Sequence, residues 1–134
     1  MASKHAGLDT SVVLRLLVGL PKDQARRAVA YLDRLFEEGT RAIVSDLVVA
    51  EAYYALQFHY DVPKDEALDS LRTFLCSDEI EGVGVAARVL QTVNLAKVKP
   101  GFIDRLIHQQ YAKHGATMAT FEHAAKKLTG TLVL

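Results

Sequence analysis

The chain has 134 residues, half of them hydrophobic, about a quarter charged and none of them Trp; this is the size and composition of one folded domain, which excludes the disordered and fibrous classes. Sixteen basic residues balance sixteen acidic ones, so no global field marks a nucleic-acid binder, although the balance leaves room for a basic patch beside an acidic site. The single Cys76 excludes an internal disulfide, no apolar run reaches the roughly 20 residues that cross a bilayer, and no basic-then-apolar leader precedes the first strand, so a cytoplasmic protein without membrane association is the expectation.

Residues 1–4 read as the irregular start of a single domain covering 1–134. "HAGLD" (5–9) follows as a strand and leads at once into the apolar helical run "VVLRLLVGL". "KDQARRAVAYLDRLFEEG" (22–39) places Ala25, Val29, Leu32 and Phe36 on one helical face, with Gly39 as its stop. "RAIVS" (41–45) is the second strand. "DLVVAEAYYALQFHY" (46–60) and "PKDEALDSLRTFL" (63–75) are helices divided at Val62 and Pro63, proline being tolerated only in a helix's first turn. "IEGVG" (80–84) is a strand, "VAARVLQTV" (85–93) and "GFIDRLIHQQYAKHG" (101–115) are helices, and "GATMAT" (115–120) is the fourth strand. A short helix "EHAAKKL" (122–128) and an edge strand "GTLVL" (130–134) complete the chain. Strands alternating with helix-length connections predict an α/β fold with a parallel sheet covered on both faces. In such a sheet the functional crevice lies at the carboxyl ends of the strands.

Two acids stand at those ends: Asp9 closes the first strand, and Glu122 follows the fourth. Glu51 lies on the line Leu47, Glu51, Ala55, Phe58, which the helical spacing predicts to face the core. Asp104 sits in the first turn of its helix between Ile103 and Leu106, with Ile107 one turn on, and is predicted close to the buried face. Each has a purely structural alternative. Asp9 or Ser11 as an N-cap is worth about 1 kcal/mol, and a first-turn Asp104 or Glu122 gains roughly 0.3 to 1 kcal/mol from the helix dipole. Glu51 fits that alternative least, since an unpaired buried carboxylate is costly; Arg15, Lys97, Lys99 or Arg105 are its candidate partners. If the four acids converge, unit charges about 5 Å apart at an effective dielectric of about 20 repel by roughly 3 kcal/mol. They then need protons or a hard divalent cation, Mg²⁺ or Mn²⁺. Metal-assisted phosphodiester hydrolysis is the chemistry such a cluster implies.

Other constellations are weaker. The five histidines show no zinc spacing, and "EGVGVAAR" has too few glycines for a phosphate loop. No nucleophile elbow is present. Tyr53, Tyr54, Phe58 and Tyr60 form either an RNA-stacking surface or, more commonly at this spacing, part of a core or dimer interface.

The order "LDTSVVLRLL", "SDLVVAEAYYAL", "GFIDRLIHQQYAKHGATMATFEHAAKKLTG" resembles the PIN-domain family, specifically the VapC-type toxins of toxin–antitoxin modules, over almost the whole chain. The resemblance implies a three-layer α/β/α domain with a central, mostly parallel sheet of four to five strands. It also implies Mg²⁺- or Mn²⁺-dependent endoribonuclease activity on RNA, restraint by a cognate antitoxin protein, and a homodimer. Asp9, Glu51 and Asp104 match the family's principal catalytic and metal-holding acids, and Thr10 or Ser11 the supporting hydroxyl. Glu122 stands where the family usually has Asp. Arg15, Lys97, Lys99 and Arg105 are candidates for holding RNA phosphates. Two rival readings remain at this level: a nuclease of the same fold acting on DNA or branched structures, and a non-catalytic domain that binds a partner helix.

Overall fold

The structure, a computed structural model, describes residues 4–134; of the irregular start expected over residues 1–4, residues 1–3 lie outside the described residues. Strand β1 (His5–Gly7) pairs in parallel with β2 (Arg41–Val44), and β2 with β3 (Ile80–Gly82), so β2 is the central strand. Ala42 and Val44 are buried, and the run Ala-Ile-Val has the continuous apolar character of a strand covered on both sides. Parallel neighbours require crossovers, supplied by α1 (Thr10–Val18) and α2 (Lys22–Glu37) between β1 and β2, and by α3 (Asp46–Phe58) and α4 (Lys64–Leu75) between β2 and β3. Helices α5 (Ala86–Leu90) and α6 (Phe102–Ala112) lead to β4 (Met118–Thr120), which pairs in parallel with β5 (Thr131–Val133) across a 3₁₀ turn at His123–Lys127.

The fold is thus α/β, with helices and exclusively parallel pairings among the described strands, consistent with a three-layer α/β/α arrangement. The five strands are hydrogen-bonded as a set of three and a set of two rather than as one continuous ladder of four to five. The segment expected as a helix over 85–93 is helical only over Ala86–Leu90, and the last helix is a 3₁₀ turn. Gly39 ends α2 at φ 72°, a left-handed conformation that favours glycine. No helix among the described residues is long and apolar enough to cross a membrane.

Three helix faces differ from the spacing-based expectation. In α3 the buried side is Val49, Ala52, Tyr53 and Leu56, while Leu47 and Phe58 are 71% and 73% exposed and Glu51 faces outward with them. This helix carries two apolar stripes, and the one that seats Tyr53 edge-on against Phe102 (centroids 5.0 Å apart) forms the core. In α2 the buried residues are Ala25, Ala28 and Leu35, with Val29 and Phe36 exposed; small alanines permit close packing of α2 on its neighbours. In α6, Phe102, Leu106 and His108 are buried, which turns Asp104 and Ile107 outward.

Candidate active site

The backbone of β1 continues past its last paired residue, with Leu8 N–H donating to the Ile43 carbonyl at 2.9 Å. Asp9 then adopts the extended N-cap conformation of α1 (φ −76°, ψ 161°). Its carbonyl accepts from the N–H groups of Val12 and Val13 at 3.0 and 3.1 Å. Its carboxylate makes no capping bond and, among the described residues, accepts only a long 3.4 Å contact from the Ser11 hydroxyl. The backbone of Asp9 therefore opens the helix, and the exposed carboxylate stays available for another task. Next to it, Thr10 Oγ1 donates to Glu51 Oε1 at 2.8 Å, joining the start of α1 to the outward face of α3.

Asp104 and Glu122 line one open cleft of about 530 Å³. Asp104 occupies the first turn of α6 and makes no side-chain hydrogen bond or ion pair among the described residues. Glu122 caps the 3₁₀ turn, accepting from Ala124 N–H at 3.3 Å, and its own N–H donates to Thr120 Oγ1 at 3.0 Å. The cap reading of Glu122 and its place in the cleft hold together. Lys64, Lys97 and Lys99 line the same cleft, so three lysines and two acids share its wall. Lys64, the first residue of α4, is missing from the sequence-based candidates because none of the four candidate acids is near it along the chain.

The other two candidate cations are engaged elsewhere. Arg15 donates from Nε to Gln24 Oε1 at 2.6 Å and from a terminal nitrogen to Tyr60 Oη at 3.4 Å, clamping α1 to α2 and to the turn that follows α3. Arg105 donates to the Pro100 carbonyl at 2.7 Å. Neither pairs with Glu51, whose partner is Thr10. Tyr53 and Tyr54 also line the cleft. Burial raises the Tyr53 phenol above its ordinary value of 10.0, with Gln57 acting in the opposite direction.

One acid escaped the sequence reading entirely. Asp46, the first residue of α3, is buried; its carboxylate accepts from Val85 N–H and Ala86 N–H, both at 2.9 Å, and from Gln110 Nε2 at 3.0 Å. It ties α3 to the start of α5 and to α6. Gly84 makes this possible, since a Cβ there would lie 2.1 Å from Asp46 Oδ2. A small glycine two residues before a helix was the available signal.

No group of three or more His, Cys, Asp or Glu side chains among the described residues is arranged to hold a metal ion. A cage built wholly from protein ligands therefore does not fit this arrangement. The donor chemistry does fit a hydrated hard cation: the four acids offer oxygen alone, all four are exposed, and Mg²⁺ is usually held by one or two carboxylates with water in its other positions.

Comparison with curated proteins and with solved structures gave no significant match. The family described as PIN domain matches residues 7–130, and PIN domains are generally nucleases acting on nucleic acid. Because that match begins just before the strand end that presents Asp9, closes just before β5, and takes in every element that positions Glu51, Asp104 and Glu122, the chain belongs to the PIN domain family.

Proposed function

We propose that this protein is a Mg²⁺- or Mn²⁺-dependent endoribonuclease of the cytoplasm and the toxin of a VapBC-like module, restrained by an antitoxin and assembled as a homodimer. The observation that carries the reading is the cleft in which Asp104 and Glu122, from different elements, meet Lys64, Lys97 and Lys99. Carboxylates for a cation beside ammonium groups for phosphates are what phosphodiester cleavage requires. In this reading Asp9, Glu51 and Asp104 would hold the ion, directly or through water, and Glu122 would orient the nucleophile or assist a second ion. The Thr10 hydroxyl fixes the Glu51 rotamer, and Ser11 supports Asp9. When bound, the cation supplies polarisation of the phosphoryl oxygen and a lower pKa for the attacking water. Lys97 and Lys99 hold the phosphates flanking the scissile one, and Arg15 and Arg105 contribute through the packing they maintain.

Side-by-side incubation with single-stranded RNA and single-stranded DNA, with and without Mg²⁺, tests the reading: RNA cleavage only with the ion is expected. Cleavage confined to DNA or to branched duplexes would transfer the site to the rival nuclease class. The absence of a three-acid group among the described residues favours a second reading, a non-catalytic partner-binding domain. A calorimetric Mn²⁺ titration separates the two, since structural carboxylates alone give no binding heat. A small reading frame for a DNA-binding protein beside the gene would support the toxin role, and sedimentation velocity reads the dimer.

A further inference from the structure

Four aromatic side chains form a path from the core to the cleft. Phe102 is fully buried, Tyr53 stands edge-on to it at 5.0 Å, Tyr54 stands edge-on to Tyr53 at 5.5 Å, and Phe58 stacks on Tyr54 at 6.2 Å with an interplanar angle of 20°. The last two are 47% and 73% exposed. Tyr54 and Phe58 thus present a stacked pair to solvent, held in place by an anchored core ring. Such pre-organisation lowers the ordering cost of binding a flat ligand. Both rings line the cleft that holds Asp104 and Glu122, and the lysines at positions 64, 97 and 99 line it too.

We infer that Tyr54 and Phe58 are the base-stacking platform for a single-stranded polynucleotide whose phosphates lie along Lys64, Lys97 and Lys99 on the way to the acids. Exposed rings beside ammonium groups fit a chain that alternates flat bases with anionic phosphates, and a duplex would keep its base faces hidden from them. The charge argues for this occupant over a second copy of the chain, because three lysines against two carboxylates leave the lining net positive, which suits a polyanion and adds nothing to an apolar interface. The inference rests on the nuclease reading and names the residues that receive the strand.

The test is fluorescence anisotropy with a labelled short oligouridylate in EDTA, where the strand stays intact and no cation contributes. Phe58→Leu and Tyr54→Leu should each weaken binding roughly tenfold, as expected for loss of one base–aromatic stack, and Phe58→Tyr should bind like the parent. Phe36→Leu, an exposed ring on α2, should change nothing. Removing Lys97 and Lys99 should lower the slope of log affinity against log salt by about 0.7 for each phosphate no longer neutralised. An oligothymidylate bound with the same Phe58 dependence supports the platform equally, since stacking does not read the sugar. Equal binding by parent and Leu variants, or equal binding of a duplex, overturns it. So does a change of oligomeric state on Phe58→Leu with strand binding unaltered, which would assign these rings to an interface between copies. Platform-dependent binding without any metal-dependent cleavage would sink the nuclease reading alone, whereas cleavage with platform-independent binding would sink only this one.

Discussion

Thr10 Oγ1 lies 2.8 Å from Glu51 Oε1, so a hydroxyl at the first position of α1 fixes a carboxylate on the outward face of α3. An exposed hydrogen bond of this kind contributes about 1 kcal/mol at most to folding, yet it sets one rotamer of a proposed ion-holding acid. Thr10→Val should therefore leave the thermal midpoint nearly unchanged while slowing single-turnover RNA cleavage roughly fivefold, the rate equivalent of about 1 kcal/mol. Thr10→Ser should restore the rate. Unaltered cleavage in the Val variant would reduce the hydrogen bond to a surface feature without a role in the site.

Asp9 gives the sharpest separation of activity from stability. Its backbone carbonyl, which any residue supplies, opens α1, and its carboxylate makes no cap. Asp9→Asn should shift folding stability by no more than roughly 0.5 kcal/mol. Mg²⁺-dependent cleavage should fall more than about 100-fold, beyond the 10- to 100-fold loss typical of partners that only orient ligands. Full activity in this variant would end the proposed role of the acid.

What the sequence made legible follows from local rules. Asp9 and Glu122 stand out because acids that close parallel strands face the crevice, and both do follow strands in the structure. The side of α3 that is buried was not legible, because Leu47, Glu51, Ala55, Phe58 and Val49, Ala52, Tyr53, Leu56 satisfy the same helical period, and only packing on Phe102 chooses between them. Asp46 was hidden for a different reason: after the cap Ser45, an acid in a first turn reads as a dipole effect, and its three donors come from 39 to 64 residues away. Lys64 entered the cleft the same way, through tertiary folding that no spacing encodes.

The Asp46 clamp predicts a coupled pair. Gly84→Ala forces a methyl group into the buried carboxylate, and should cost about 3 kcal/mol, the upper part of the usual overpacking range. Asp46→Ala should cost a similar amount by leaving the Val85 and Ala86 N–H groups without their acceptor. In the Asp46→Ala background the clash is gone, so Gly84→Ala should then cost less than about 1 kcal/mol, a coupling that a double-mutant cycle in urea measures directly. Simple additivity would refute the steric account.

Tyr53 supplies a pH dependence whose sign follows from its burial. Its phenol is raised above 10.0 in the folded chain, first by desolvation, while in the unfolded chain it titrates near that ordinary value. Above that value the unfolded state binds fewer protons than the folded one, so stability falls with rising pH. The contribution is intact below pH 10.0 and disappears as pH climbs through the folded value. Urea unfolding followed from neutral to strongly alkaline pH should show a shallower decline for Tyr53→Phe than for the parent. Parallel declines would place the alkaline sensitivity in other groups.

Glu122 holds two positions at once, as cap of the 3₁₀ turn through Ala124 N–H and as an acidic wall of the cleft. Serine is among the preferred capping residues, so Glu122→Ser should keep the turn and hold stability within roughly 0.5 kcal/mol of the parent while removing the charge. If the carboxylate acts in the cleft, cleavage by the Ser variant should drop about tenfold or more, in the range seen when a partner that orients a metal site is lost. Glu122→Asp, which keeps both cap and charge and places the usual PIN-domain residue here, should retain activity. A Ser variant as active as the parent would reduce Glu122 to its cap, and the two variants compared in one cleavage assay, with thermal melts alongside, decide between the roles.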